Sequence, residues 1–334
     1  MDNTLLSIRN LHTSFFTHVG EVKAVQNVSY DVRRGEILGV VGESGSGKSV
    51  SYMSCMRLLQ EPGRIMGGDV QFKGESLLSK TNRQMRNIRG NRMSMIFQNP
   101  MTSLNAVLKI GDQITEPLRE HKNMSRAEAK REAISLLERV QIPDAEKRLS
   151  AYPHEFSGGM RQRVLIAMAI ACRPDLIIAD EPTTALDVTI QSQILELMKD
   201  LQQDLGTSIV FITHDLGVIA ETCSRVVVMY GSMVMEEAPV DDIFHRPAHP
   251  YTEGLLRSIP KPGMEDKRLS PIPGSPPVQL SPPPGCPFAP RCNYAMNICR
   301  RRLPEFTKIG ENHRSACWLL SGHAPSNNFR RENI

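Results

Sequence analysis

No stretch of the 334-residue chain approaches the roughly 18 consecutive apolar residues that a membrane-spanning helix needs. Charge of one sign is also scarce: 40 Lys and Arg face 36 Asp and Glu, a net +4. So weak a balance does not mark a nucleic-acid binder, although it suits contact with an anionic membrane face. No internal repeat runs along the chain, which argues against a repeat architecture. The N-terminal Met-Asp-Asn-Thr-Leu-Leu has an acidic residue and no long apolar region, so it does not read as a signal peptide. The expected location is therefore the cytosol, unless another subunit recruits the chain to a membrane. Hydrophobic residues at 40% and charged residues at 23% are ordinary for a globular protein. The length suits one large domain with an appendage, or two domains.

What is present is more specific. Residues Gly42 to Ser49 read Gly-Glu-Ser-Gly-Ser-Gly-Lys-Ser, after the apolar run Ile37–Val41 and before a helix expected over Val50 to Leu59. In that context the pattern is a phosphate-binding loop. Its glycines let backbone N–H groups curl around a phosphate chain, and the helix N-terminus faces the same anions. Lys48 supplies a point charge for the phosphates, and the Ser49 hydroxyl can hold Mg²⁺. The chain is expected to bind a nucleoside triphosphate.

Val28, Tyr30 and Val32 alternate with polar neighbours, as strands do. Val70 and Phe72 continue that pattern after an expected turn at Gly67-Gly68-Asp69. Met93–Phe97 reads as a buried strand. The period then becomes helical: Ser125 to Glu128 is a capping box, followed by Ala129, Ala133, Leu136, Leu137 and Val140. Residues 104 to about 172 are expected to be mainly helical. Strand signals return at 176–179, 208–212 and 226–229. Between the first two lies a helix stopped by Gly206. Alternating strands and helices predict an α/β protein with a mostly parallel sheet.

Two carboxylates, Asp180 and Glu181, close the apolar strand Leu176–Ala179. Asp180 can hold phosphate-bound Mg²⁺, and Glu181 can polarise the attacking water. Upstream, Phe156-Ser157-Gly158-Gly159-Met160 opens a helix, with Ser157 a good N-cap and two glycines leaving N–H groups bare. Ser-Gly-Gly alone is a common turn. Its place before the carboxylate strand gives it weight, as do Gln98 after one strand, Ala185-Leu186-Asp187, and His214 after another.

These motifs, in this order, resemble the ATP-binding-cassette (ABC) ATPases over about residues 5 to 255. The resemblance implies a P-loop NTPase fold with a mostly parallel sheet core, an antiparallel β subdomain and a helical subdomain at about 104–172. It makes Gly42 to Ser49 the Walker A loop, with Ser44, Gly45, Gly47, Lys48, Ser49 and the following Val50 at ATP. Asp180 and Ser49 become Mg²⁺ ligands, and Gln98 the Q-loop glutamine that touches Mg²⁺ and the transmembrane partner. Glu181 becomes the general base, and His214 the switch histidine at the γ-phosphate. Ser157, Gly158 and Gly159 form the signature, and Asp187 lies in the D-loop. Phe15 resembles the aromatic that stacks on adenine, with Phe16 a close rival. The signature departs from Leu-Ser-Gly-Gly-Gln at both ends. Ser157 and the backbone donors remain, while the missing glutamine puts ribose or helix-capping contacts in question.

A narrower resemblance is to the ATP-binding subunits of oligopeptide and dipeptide importers. It rests on Glu-Ser-Gly-Ser-Gly-Lys-Ser-Val, on Phe97 to Asn105, on His249-Pro250-Tyr251-Thr252, and on the cysteine pattern near the end. It implies an ATP hydrolase that powers peptide import. Nickel importers and other small-solute systems share much of this pattern, and a soluble non-transport cassette is the reading from another class. Neither a long coiled-coil insertion nor a second cassette is present to favour that last reading. The implied partners are a second ATPase subunit, identical or paralogous, two transmembrane permease subunits and an extracytoplasmic peptide-binding protein, with no nucleic acid. The implied location is the cytoplasmic face of the inner membrane, as a peripheral subunit.

The expected domains are the ATPase at 1–259, a Pro-rich and Cys-rich extension at 260–320 and a polar, disordered tail at 321–334. Eleven of the 23 prolines lie between Pro260 and Pro290, which reads as an extended linker or wrapping arm. Of seven cysteines, Cys55, Cys172 and Cys223 sit in apolar surroundings and read as buried thiols. Cys286, Cys292, Cys299 and Cys317 cluster, and in a reducing cytosol a metal is favoured over disulfides. A Zn²⁺ held by four thiolates is one possibility. The gaps of five, six and seventeen residues are uneven, which suits a [4Fe–4S] cluster. Subfamily members with similar tails carry such a cluster.

Overall fold

The computed structural model describes residues 3–184, 186–258 and 271–321. Ala185 of the expected D-loop, the first part of the Pro-rich segment and nearly all of the expected tail lie outside the described residues. The chain forms two compact units.

One unit is built mainly from Ser79–Ile212, with Val32–Ile37. Its strands Met93–Ile96, Leu176–Asp180 and Ser208–Thr213 run parallel, with Leu176–Asp180 bonded on both sides. All five residues of that middle strand are buried. Parallel strands covered on both faces carry continuous apolar runs, which is why no alternation marks them. The region from 104 to 172 is mainly helical as expected, with helices Ile110–Lys122, Arg126–Arg139, Ala145–Arg148 and Gly158–Ile170. The capping box forms: the Ser125 N–H donates to Glu128 Oε2 at 2.8 Å, and the Glu128 N–H to Ser125 Oγ at 3.3 Å. Helix Val188–Leu205 buries Ile194, Leu197, Met198 and Leu201, and ends at Gly206 in the left-handed region.

The other unit is built mainly from Leu5–Asp31, Leu38–Leu78 and the chain from Thr213 onward. It contains an antiparallel sheet in the order Gly20–Arg33, Thr4–Thr17, Gly63–Phe72, Glu75–Ser76. Val28, Tyr30 and Val32 are buried along one face. Gly67-Gly68-Asp69 is not a turn but part of strand Gly63–Phe72, where the pairing register shifts. Gly68 has φ +94°, and a Cβ there would lie 2.6 Å or less from the carbonyl oxygens of Arg9 and Asn10. Asn10 and Leu11 of Thr4–Thr17 stand opposite Gly68, and Asn10 has φ 46°, so the extra residue of the bulge is on that strand. The helix after the phosphate loop, Lys48–Cys55, is shorter than expected. It stops because Arg57 adopts φ 52°, while the Leu58 N–H reaches Met53 O at 2.8 Å and the Arg57 N–H reaches Ser54 O at 3.0 Å. This is a Schellman stop without a glycine.

The same unit holds strands in the order Thr307–Lys308, Arg314–Ser315, Met233–Pro239, Arg225–Tyr230, Ile37–Val41. The C-terminal segment thus adds strands to the edge of Met233–Pro239. Two buried carboxylates hold it there. Glu236 accepts from the N–H groups of Ala248 and His249 and from Thr252 Oγ1, and its carboxylate lies 2.8 Å from His313 Nε2. Glu237 pairs with Arg225 and with Arg314, whose Nε lies 2.7 Å away. The Pro-rich arm runs against this unit: the Lys23 N–H donates to Gln279 O at 3.1 Å. Among the described residues no helix is long and apolar enough to cross a membrane.

Candidate active site

The phosphate loop leaves strand Ile37–Val41, all of it buried, whose Leu38–Val41 pairs in parallel with Arg225–Val228. Two glycines are required by close approach. A Cβ on Gly42 (φ +153°) would lie 2.0 Å from Met229 O, and one on Gly47 (φ +92°) would lie 2.3 Å from Ala24 O. Gly47 is also the N-cap of helix Lys48–Cys55. The Lys48 ammonium is buried and spans the loop, donating to Gly42 O at 2.7 Å and Glu43 O at 3.0 Å. Ser44 and Gly45 are exposed, and Ser49 and Val50 are half-buried. This is a curled, lysine-centred loop suited to phosphate. In the same unit the ring of half-buried Phe15 lies on Gly63, where a Cβ would come within 2.7 Å of it. Phe16 is exposed, with the Arg64 guanidinium 5.7 Å from its ring centre. His214 is exposed just past strand Ser208–Thr213.

The other unit assembles the acidic residues. Asp180, buried, ends strand Leu176–Asp180. Glu181 turns the chain with φ 47°, and its N–H donates to Ile212 O at 2.8 Å. Its carboxylate accepts from Gln98 Nε2 and from Thr184 Oγ1, each at 2.8 Å. Gln98 and Glu181 are thus brought together, with Asp180 adjacent in sequence. Ser157 caps helix Gly158–Ile170 by accepting from the Met160 N–H at 3.3 Å. Helix capping therefore survives the loss of the signature glutamine. Phe156 is buried beneath the Arg148 guanidinium, a packing role. A Cβ on Gly159 would meet Ile190 at 2.8 Å. Asp187 accepts from the Ile190 N–H at 2.9 Å as N-cap of helix Val188–Leu205.

Three further residues touch these loops without any motif naming their role. Thr184 orients Glu181. Tyr251 Oη accepts the Glu43 N–H at 2.9 Å, and Arg291 Nη1 donates to Glu43 Oε2 at 2.7 Å. Tyr251 and Arg291 lie inside runs that support the peptide-importer resemblance, the only signal that pointed toward them.

The ABC transporter family matches residues 25–184, and the family described as the C-terminal region of oligopeptide/dipeptide transporters matches residues 235–299. A probable peptide ABC transporter ATP-binding protein of Sinorhizobium fredii is 52% identical, over 94% of each chain. The chain belongs to the ABC transporter ATP-binding proteins. A dipeptide transport ATP-binding protein of Bacillus subtilis is 51% identical over 96% of each chain. An oligopeptide transport ATP-binding protein of Salmonella typhimurium is 50% identical over 90% of each. A dimeric ATP-binding cassette solved in a post-hydrolysis state with ADP and Pi superposes with a TM-score of 0.64 at 26% identity. That match covers 71% of this chain and 99% of the cassette. This ABC subunit binds ATP and couples its hydrolysis to transport.

The cysteine segment fits the sequence expectation less well. Cys286, Cys292, Cys299 and Cys317 are free thiols. They lie within electrostatic reach of one another, since the other three raise the Cys317 thiol. Yet among the described residues no group of three or more His, Cys, Asp or Glu side chains is arranged to hold a metal ion. The arrangement therefore gives the expected [4Fe–4S] cluster, or Zn²⁺, no support. Burial pushes the Cys286 and Cys317 thiols up to about 12.

Proposed function

We propose that the chain powers the import of di- or oligopeptides across the cytoplasmic membrane. One observation carries the cargo: an ABC cassette joined to a C-terminal region of the oligopeptide/dipeptide transporter type. Relatives named for peptide, dipeptide and oligopeptide transport support it. In this reading Lys48 and the loop N–H groups take the ATP phosphates. Ser49, Asp180 and Gln98 serve Mg²⁺, and Glu181 is the general base, held by Gln98 and Thr184. His214 reads the γ-phosphate, Phe15 stacks on adenine, and Ser157, Gly158, Gly159 and Asp187 act at ATP in a dimer of cassettes. The partners are a second ATPase subunit, identical or paralogous, two permease subunits and an extracytoplasmic peptide-binding protein. The chain sits on the cytoplasmic membrane face as a peripheral subunit, recruited by those permeases.

The cysteine segment keeps a metal reading on donor chemistry alone. Four unpaired thiols have backbone N–H groups directed at sulfur, among them Phe288 toward Cys286, Tyr294 toward Cys292 and Leu319 toward Cys317. Such a set suits a [4Fe–4S] cluster or Zn²⁺ once the thiols lose their protons and close in. Bound, the group would cross-link the segment, and nothing in ATP hydrolysis needs its electrons.

The function is tested by uptake. Cells carrying Lys48→Ala should lose uptake of labelled di- or oligopeptides and regain it with the wild-type gene. Unchanged peptide uptake with lost nickel uptake would move the cargo to the nickel branch. Unchanged uptake of all solutes would favour a non-transport cassette.

A further inference from the structure

A phosphate loop gathers backbone N–H groups and a lysine around anions, yet this one carries a carboxylate, Glu43, as its second residue. Left free, that charge would oppose a polyphosphate. The structure holds it at three points. Its N–H donates to Tyr251 Oη at 2.9 Å, and its carbonyl accepts from Lys48 Nζ at 3.0 Å. Its carboxylate receives Arg291 Nη1 at 2.7 Å.

Arg291 is itself built in. Its side chain is 6% exposed, against 25% for Glu43. Nη1 also donates to Tyr230 Oη at 3.1 Å, Nε to Pro273 O at 2.9 Å, and Nη2 to Ile272 O at 3.0 Å. The guanidinium lies 5.7 Å from the Tyr230 ring centre, and Tyr230 packs on Tyr251 at 4.5 Å and edge-on to Phe288 at 5.3 Å. A buried guanidinium with all three nitrogens bonded is a fixed charge rather than a chance surface pairing. Arg291 lies in the short run between Cys286 and Cys292, so its side chain carries the C-terminal segment to the ATP phosphate loop.

We propose that Arg291 is a positioning residue for ATP. It neutralises the Glu43 carboxylate and draws it aside, so that the phosphate loop presents only donors to the nucleotide. The Tyr251 hydroxyl fixes the same residue's backbone. The proposal rests on the reading of Gly42 to Ser49 as the ATP phosphate loop.

The test uses the full-length chain for equilibrium Mg-ATP binding, and the reconstituted transporter for KM and kcat. Arg291→Met should raise the Mg-ATP Kd and KM by about 3- to 10-fold, the effect of one uncompensated nearby charge. The defect should shrink at high salt, because partly exposed charges are screened. The change in kcat should stay within about 2-fold. Arg291→Lys should keep part of the affinity. Glu43→Gln combined with Arg291→Met should return Kd to within about 2-fold of wild type, since the repelling charge is gone. A packing role alone predicts no such rescue. Wild-type affinity in Arg291→Met, or a defect that Glu43→Gln does not relieve, overturns the proposal. If Arg291→Met does not fold, a salt-independent, wild-type Kd in Arg291→Lys/Glu43→Gln and in Arg291→Lys alike overturns it instead. Lys48→Ala separates the two levels. Unchanged ATP binding there removes the loop assignment and the proposal with it, whereas lost binding there with a silent Arg291→Met removes only the proposal.

Discussion

Gln98 donates its side-chain N–H to the Glu181 carboxylate at 2.8 Å, and Thr184 donates to the same oxygen at the same distance. Two donors on one oxygen fix the orientation of the carboxylate. Glu181 also sits in the left-handed region at φ 47°, an unfavourable backbone that persists because its N–H is bonded to Ile212 O. The side chain is therefore aimed before any substrate arrives.

Glu181→Gln should bind ATP and lose about 10²- to 10⁴-fold in hydrolysis, the range for removing a general base. The measurement is single-turnover hydrolysis in a transporter whose ATP sites all carry the change. Undiminished hydrolysis would move the base elsewhere. Thr184→Val should give a smaller loss, in kcat rather than KM, because it frees the carboxylate without removing it.

Gln98 follows strand Met93–Ile96 and precedes the helical region, so a partner that moves that region can report to Glu181. Beyond it, Val107 is 78% exposed and Leu108 42%. Both positions are open to a cross-linker. Single cysteines at Val107 or Leu108 should cross-link to a permease subunit in native membranes. Cross-links formed only with soluble proteins would favour a non-transport role.

The local structure of this chain is legible in its sequence. The glycine-rich loop before Lys48–Cys55, the Asp180–Glu181 strand end and the Ser157 cap are contiguous runs whose residue types set their local geometry. Tertiary partnerships are not. Arg291 and Glu43 lie 248 positions apart, and no periodicity relates them. Gly67-Gly68 reads as a turn because a glycine with positive φ serves a turn as well as the close approach of strands that Gly68 makes. The helix end at Arg57 was missed because a non-glycine residue makes the left-handed stop there. Four cysteines announced a metal through composition, but composition says nothing of how sulfurs are aimed.

That last reading has a direct check. A [4Fe–4S] cluster would make protein purified without oxygen brown, with about four iron and about four acid-labile sulfide per chain. Cys299→Ser should reduce both. One zinc per colourless chain would assign the site to Zn²⁺, and neither metal would make the four thiols ordinary members of a packed segment.

His249 supplies a pH dependence. It is buried, caps helix Pro250–Arg257 by accepting from the Tyr251 N–H at 3.0 Å, and has no hydrogen-bond partner at Nε2. Burial depresses its pKa from the ordinary 6.5 to about 3. The unfolded chain therefore takes up a proton below about pH 6.5 that the folded chain refuses until about pH 3. Stability from this residue is complete above pH 6.5 and is lost progressively as pH falls toward 3. Each pH unit in that window costs about 1.4 kcal/mol, so about 2 kcal/mol is lost by pH 5. His249→Asn keeps an N-cap acceptor and cannot titrate. The variant should be less stable than wild type near pH 7, where its smaller side chain leaves a gap, and should close most of that difference by pH 5. Chemical unfolding at both pH values measures it. Parallel acid sensitivity in the two proteins would show that His249 is not the group responsible.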